Sequence, residues 1–557
     1  MTKHPGRRPR NLPPSIPART GSRPLELLAA GIVFACACAV FWPTLRFSFL
    51  NWDDPVYVLK NPWIRDLSWE NARAIFTRPY FQNFLPMHLL SYMLDHALWG
   101  LNPRGYHLTS VLLHGLNSVL CLLVVRRLSG SRIVGFLAAL LFAVHPAHVE
   151  AVAWVSSRKE VLSTTFLLLS LLAYLAARSG RGWKPLPYAA SVAWFLLAML
   201  SKVSVVVLPA FLLLVDWTPD PRSPRTKHPS LLRALLAKIP YGIVGTVLIA
   251  VNSRAQVTAQ AAYVHDPLRY LTVKGHAVWN YLALLCGFGG NPDYDLPAIA
   301  GGVRMCLELG GLIVLPVACL LFLRWKRRPE FLGVCWIFLT LLPALLFPLV
   351  TYMADRYLYA PSIGFCMAAA AAIAGAGGLG RLSPGKGRVW AAGIAAAILV
   401  VAFAARTLSA SRVWRDSESL WTYALTKSRD YRVFNNLADV RIGQKRWAEA
   451  ERLLKQGASV ENVVSYQSLG VLYYSLRRFD EALLATDRAI EIQSKRSHDA
   501  SVLAELHYNR GAILWSQGNA ASAIEEWNAA LRENPGHAQA REWLGIAGGL
   551  TPVRPPG

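Results

Sequence analysis

The chain has 557 residues, 54% hydrophobic and only 16% charged, with 58 Lys and Arg against 33 Asp and Glu. So apolar a composition excludes an ordinary soluble globule. The net charge of +25 does not mark a nucleic-acid binder, because much of it lies in short loops between apolar runs, as membrane topology requires.

Residues 1–25 form a basic tail in which Lys3, Arg7, Arg8, Arg10, Arg19 and Arg23 precede the first apolar run. A cationic amino terminus of this kind is expected to stay cytoplasmic, and no small-residue cleavage site follows the run. Spans are expected near 26–46, 107–126, 131–145, 160–178, 186–201, 202–217, 236–252, 304–323, 330–351, 356–379 and 388–406, about eleven in all. Lipid offers the backbone no partners, and no alternating ten-residue pattern suggests a barrel, so the fold class is all-α, a polytopic helical bundle.

The stretch 268–288 carries Arg269, Lys274, His276 and Asn280, and either spans, re-enters or lies in the interface. Treated as non-spanning, it leaves Arg126-Arg127, Arg178-Lys184, Arg222-Lys238, Arg324-Arg328 and Arg381-Arg388 all cytoplasmic. The same count puts the polar stretches 51–55, 145–160, 201–202, 291–295 and 353–359 together on the outer side. Charged groups at membrane depth are costly, so such a convergence is a functional-site expectation. The eight Cys all sit in apolar segments and read as core filler.

Beyond a linker at 407–430, residues 431–550 repeat themselves. Small residues recur at Ala438, Gly470, Gly511 and Gly545, and Ala450, Ala482 and Ala523 stand twelve positions after the first three. The spacing resembles the tetratricopeptide repeat, an α-solenoid whose concave face takes a protein or peptide partner. The long middle interval is assigned to extra residues near 494–500. Residues 551–557 are a tail.

"NWDDPVYVLKNP" (51–62) follows the first span directly. Asp54 can be read as a helix N-cap before Pro55, which leaves Asp53 unexplained. Alternatively the two carboxylates meet a lipid-borne phosphate sugar at headgroup level, where their repulsion suits one of them to act as a base.

Together with "GLNPRGYHLTSVLLHGLNSVL" (100–120), "HPAHVEAVAWVSSRKEVLS" (145–163), "SKVSVVVLPAFLLLVDW" (201–217), "NPDYDLP" (291–297) and "DRYLYAPSIGF" (355–365), this stretch resembles the transmembrane and tetratricopeptide-repeat-containing O-mannosyltransferases and their bacterial relatives, membrane glycosyltransferases of GT-C type. The resemblance implies transfer of a sugar, in that family mannose, from a polyprenyl-phosphate donor to an acceptor hydroxyl on a protein or a glycan. It implies a direct, inverting displacement in which Asp53 or Asp54 takes the proton, with Glu150 as a further acidic residue.

Arg158, Lys159, Lys202 and Arg356 are candidates to hold the leaving phosphate, or else positive anchors at helix ends. His145, His148, Asp355 and Tyr357 are supporting polar residues. His145 and His148 with Glu150 are also an alternative divalent-metal set, although Pro146 breaks their register; no metal or other cofactor is assigned. Trp52 and Trp154 either stack on a sugar ring or anchor at the interface. The expected location is a bacterial inner membrane with site and repeats in the periplasm. Competing classes are a non-catalytic repeat scaffold and an enzyme of lipid-linked glycans.

Overall fold

The computed structural model describes residues 23–178, 184–218, 230–255, 266–298, 301–324, 328–347, 351–378, 385–459, 461–496 and 499–550. The tails 1–22 and 551–557, and parts of the expected cytoplasmic loops at 178–184, 222–238, 324–328 and 381–388, lie outside the described residues. Among the described residues there is no β-strand.

The chain begins with α1 (Arg23–Phe41), followed by two short amphipathic helices, α2 (Trp69–Thr77) and α3 (Pro86–Trp99). Then come α4 (Pro103–Ser129), α5 (Arg132–Ala143), α6 (Val149–Ala153), α7 (Arg158–Ala177), α8 (Pro185–Ser201) and α9 (Leu208–Trp217). The bundle is completed by α10 (Leu231–Leu236), α11 (Ile239–Ala255), α12 (Pro267–Leu285), α13 (Val303–Arg324), α14 (Arg328–Leu346), α15 (Pro361–Ala376) and α16 (Lys386–Ser411). Local chemistry sets the ends. Asn102 caps α4 ahead of Pro103, Gly130 closes it in the left-handed conformation, and Ser131 caps α5 at once, so the two helices turn back on each other.

Among the described residues, seven helices are long and apolar enough to cross a membrane. α5 and the Pro146–Ala153 segment pass the same test only together and are bent by 52°, a broken span or a re-entrant loop, and 185–201, 203–217 and 361–376 are shorter apolar helices. The protein is an integral membrane protein. Four of the expected spans therefore rest on bent or short helices. Pro146 and Pro361 break the chain near the polar segments, so residues expected inside a span lie instead in the 3-10 helix Asp355–Leu358 and the turn that follows it.

Two chemically different ends result. At one end Arg126 pairs with Glu26 (2.8 Å), Arg178 and Lys238 both reach Asp216 (3.1 and 2.6 Å), and Arg328 binds the Leu128 carbonyl. This is the end expected to face the cytoplasm. The segments 48–54, 145–160, 202, 291–295 and 355–357 meet at the other. The hydrogen bonds of α12 go to that second end: Tyr270 to Leu346 O, Lys274 to Ala344 O, Trp279 to Leu307 O and His145 to Leu285 O. Such a pattern fits a helix lying along the bundle end, the non-spanning alternative.

Residues 407–430 are not an open linker. The chain leaves α16 through a 3-10 turn, forms α17 (Ser417–Leu425) capped by Asp416, and packs it on α18. Three helix pairs follow: α18 (Tyr431–Gly443) with α19 (Trp447–Ala458), α20 (Val463–Ser475) with α21 (Phe479–Arg496), and α22 (Ala500–Ser516) with α23 (Ala520–Glu533). A final α24 (Ala538–Leu550) stacks on the last. Most of the predicted small residues are crossing points: Ala438, Ala450, Ala482 and Ala523 are fully buried, and Gly470 and Gly511 pack against Thr486 and Trp527, whereas Gly545 is exposed with no neighbour against it among the described residues. Most of the extra length in the middle repeat extends α21 itself; residues 497 and 498 of that insertion lie outside the described residues.

Packing beside the polar end depends on one glycine contact. A Cβ on Gly364 of α15 would lie 2.2 Å from the Gly333 carbonyl of α14, so these backbones touch. Gly364→Leu is expected to force α14 and α15 apart and cost on the order of 1–3 kcal/mol or more. Thermal unfolding of the detergent-purified protein checks this; an unchanged midpoint would show that the helices do not meet here.

Candidate functional site

The two adjacent aspartates have opposite fates. Asp54 is fully buried and both of its oxygens are used: Oδ2 accepts from Leu50 N (2.8 Å), and Oδ1 accepts from Ser156 N (3.0 Å) and from the Ser156 hydroxyl. It does not cap the following π-turn, despite Pro55 beside it. Burial raises its pKa to about 6, against the pull of the three hydrogen bonds. Asp54 thus ties the first outer loop to the turn at 155–157. Asp53 is half-buried; its carbonyl accepts from Val56 N and Tyr57 N, but its carboxylate makes no hydrogen bond or ion pair among the described residues.

Behind this loop, Glu150 of α6 is buried against Arg356. One Glu150 oxygen meets the guanidinium, and the other accepts from the Arg356 backbone N (2.8 Å). The guanidinium lies 5.3 Å from the Trp154 ring and 5.1 Å from the Tyr357 ring. Lys202 Nζ also lies 5.0 Å from the Tyr357 ring and pairs with Glu160 at 2.5 Å. The Asp355 carboxyl accepts from Tyr294 (2.5 Å) and is held well above the usual carboxylate range, first by burial and then by the charge of Glu150. Lys159 has no hydrogen bond or ion pair among the described residues; its Nζ lies 5.7 Å from the Tyr57 ring, and Asp53 is among the charges acting on it. A cavity of about 100 Å³ opens nearby, lined by Gly287–Asn291, Arg406, Trp414 and Asp355, but it includes neither Asp53 nor Lys159.

Four expectations change. Arg158 is wholly buried and pairs with Asp95 (2.5 Å), Tyr106 O (2.7 Å) and Ser110 (3.2 Å), so it has no surface on which to receive a phosphate. His145 accepts from Ala147 N and contacts Leu285 O, and His148 bonds Ser362 (2.7 Å). With Glu150 committed to Arg356, the metal alternative fails, and among the described residues no group of three His, Cys, Asp or Glu is arranged to hold an ion. Trp52 and Trp154 stack on each other at 4.6 Å and continue to Trp421 and Trp414, so neither presents a free face to a sugar. Finally, the Asp54 side chain is a tie and not a cap.

The sequence reading also missed Glu160, Asp95, Tyr294 and Asp293. Asp293 is buried, its pKa is raised to about 7 by burial, and it meets Arg432 of α18 at 2.9 Å. Glu160 closes the polar stretch 145–160, and its position two residues beyond Arg158 was the available signal. Asp95 and Arg432 carried none, since their partners lie far away in the chain.

A model of the dolichyl-phosphate-mannose-protein mannosyltransferase family matches residues 84–243, and a tetratricopeptide-repeat model matches residues 504–537. The chain is 25% identical to protein O-mannosyl-transferase TMTC3 of Mus musculus, over 81% of this chain and 53% of that protein. It is 30% identical to TMTC4 of Mus musculus, over 64% of this chain and 56% of that protein. The resemblance read from the motifs is borne out, and the chain spans about half the length of the curated relatives it matches. Among solved structures it is similar to ArnT from Cupriavidus metallidurans bound to undecaprenyl phosphate, with 16% identity and a TM-score of 0.38, covering 88% of this chain and 81% of that one.

Arg158 and Lys159 are neighbours with different expected behaviour. Asp95→Ala leaves the buried guanidinium unpaired and is expected to cost about 3–5 kcal/mol of stability. Lys159→Met breaks no ion pair and is expected to stay within about 1 kcal/mol of wild type. Thermal unfolding of both variants checks this, and equal losses would contradict it.

Proposed function

We propose that this chain is an integral-membrane glycosyltransferase that moves a sugar from a polyprenyl-phosphate donor to an acceptor hydroxyl on the outer face. The observation that carries the reading is the pair of uncommitted charges. Around the polar end, Asp54, Glu150, Arg158, Glu160, Lys202, Asp293, Asp355 and Arg356 are all hydrogen-bonded or ion-paired, while among the described residues the side chains of Asp53 and Lys159 are not and act on each other only through their charges. A charge kept half-buried without a partner is costly unless a ligand supplies one.

In this reading Asp53 takes the proton of the acceptor hydroxyl as its oxygen attacks the anomeric carbon. The bond from that carbon to the phosphate oxygen breaks, its electron pair leaves on the phosphate, and the configuration inverts. Lys159 receives the leaving phosphate. Lys202 and Arg356, held by Glu160 and Glu150, add positive charge behind it, and Tyr357 sits between them. The relatives' names point to mannose as the sugar and a protein as the acceptor. The repeats fit presentation of a polypeptide in their concave face, and the charge pattern of the loops fits an outer, periplasmic site. A non-catalytic scaffold leaves Asp53 and Lys159 unexplained.

The test is sugar transfer by the purified protein in nanodiscs with a panel of polyprenyl-phosphate sugars and peptide acceptors. Asp53→Asn is expected to lower turnover by about 10²–10⁴-fold with the fold intact. Asp54→Asn presents an N–H to one of the donors that Asp54 now accepts from, and is expected to lose about 1–3 kcal/mol of stability as well as activity. Full turnover in Asp53→Asn would sink the assignment.

A further inference from the structure

The Asp53 carbonyl accepts from Val56 N (3.1 Å) and Tyr57 N (3.0 Å), but among the described residues no hydrogen bond holds its carboxylate, whose position is set by the backbone and its neighbours. On one side stands Asp54, tied to the bundle through Ser156. On the other stands Asn51, tied to the repeat domain. The Asn51 carboxamide is used at both ends: Oδ1 accepts from the Trp421 indole N–H of α17 (2.6 Å), and Nδ2 donates to the Asn436 carbonyl of α18 (2.9 Å). Asn51 N donates to the Ser417 hydroxyl (2.9 Å), and Ser48 N donates to the Arg415 carbonyl (3.0 Å).

The second outer segment is held by the same helices, through Asp293 to Arg432 and through Asp295, which accepts from Arg429 N (2.9 Å) and from the Ser428 hydroxyl. Only an amide meets both demands on Asn51, an acceptor for the indole and a donor for the helix carbonyl. Trp421 is fully buried, and its ring sits 5.0 Å from Trp52, so the contact is a packed joint.

We propose that Asn51 is a positioning residue that lets α17 and α18 set where the Asp53 carboxylate stands, which makes the base of the repeat domain a structural part of the reaction site. This rests on the glycosyltransferase reading above. A shift of α17 or α18 moves the residue two positions from the acting carboxylate, and displacements of about 1 Å are enough to cost about 10²-fold in rate.

The experiment uses the full chain, with Asn51→Ala, Asn51→Asp and Trp421→Phe, and measures kcat, donor KM and amide hydrogen exchange. Asn51→Ala is expected to lower kcat by between about tenfold and 10²-fold with donor KM unchanged, and to speed exchange at 48–54 while the later repeats keep their protection. Asn51→Asp keeps the acceptor for Trp421 but turns an oxygen toward the Asn436 carbonyl, and is expected to lower kcat as well. Trp421→Phe removes the indole N–H, together with part of a buried ring, while leaving the Asn51 carboxamide in place, and is expected to move kcat in the same direction should Asn51→Ala fail to fold. An unchanged kcat in Asn51→Ala and Trp421→Phe, beside an active wild type, overturns the positioning role alone. A rise in donor KM equal to the fall in kcat/KM overturns it too. No transfer by wild type overturns both this inference and the reading it rests on.

Discussion

A charge carried out of water must find a counter-charge or a set of hydrogen bonds, and the polar end of this bundle is arranged around that requirement. The Glu150–Arg356 pair is its centre. It joins α6, after the break at Pro146, to the turn before α15, so the two interrupted stretches of the bundle are held to each other. Asp95–Arg158 joins α3 to α7 in the same way, and Glu160–Lys202 joins α7 to the end of α8. Buried ion pairs are weak evidence for stability, since apolar replacements of similar shape often do as well. What they provide here is geometry: each pair fixes the end of one helix against another.

The opposite end uses the same chemistry without the same consequence. Arg178, Lys238 and Tyr174 converge on Asp216, a closed cluster in which every one of these side chains is bonded to another. The polar end differs in leaving two charged side chains, Asp53 and Lys159, without a hydrogen bond or ion pair among the described residues. That difference in satisfaction, more than the number of ionisable groups, separates a structural network from a site able to receive a ligand.

Much of this was legible in the sequence, because membrane topology writes itself into loop charges and apolar lengths. The two ends, the five polar stretches and the repeat register at Ala438, Gly470 and Gly511 all follow from local composition. What stayed hidden depends on direction within one element. Arg158 and Lys159 are separated by about 100° around a helix, so one faces Asp95 and Tyr106 and the other faces the loop of Asp53, and spacing gives no hint of which is which. Asp53 and Asp54 are adjacent, and what tells them apart is Ser156, far along the chain. The segment 407–430 looked like a linker because α17 is only two and a half turns long and owes its place to Asn51 and Trp52.

That dependence runs both ways. A nine-residue helix is marginal by itself, and α17 is stabilised by burying Trp421 against the first outer loop. The loop in turn is short of internal bonds between Asn51 and Asp54, and is held by α17 on one side and Ser156 on the other. Bundle and repeats are therefore not two modules joined by a tether, since each completes an element of the other. A polypeptide bound along the repeats would rest on the same helices that hold the acidic loop, and the separation between its hydroxyls and Asp53 is set by packed side chains and not by the reach of a flexible chain.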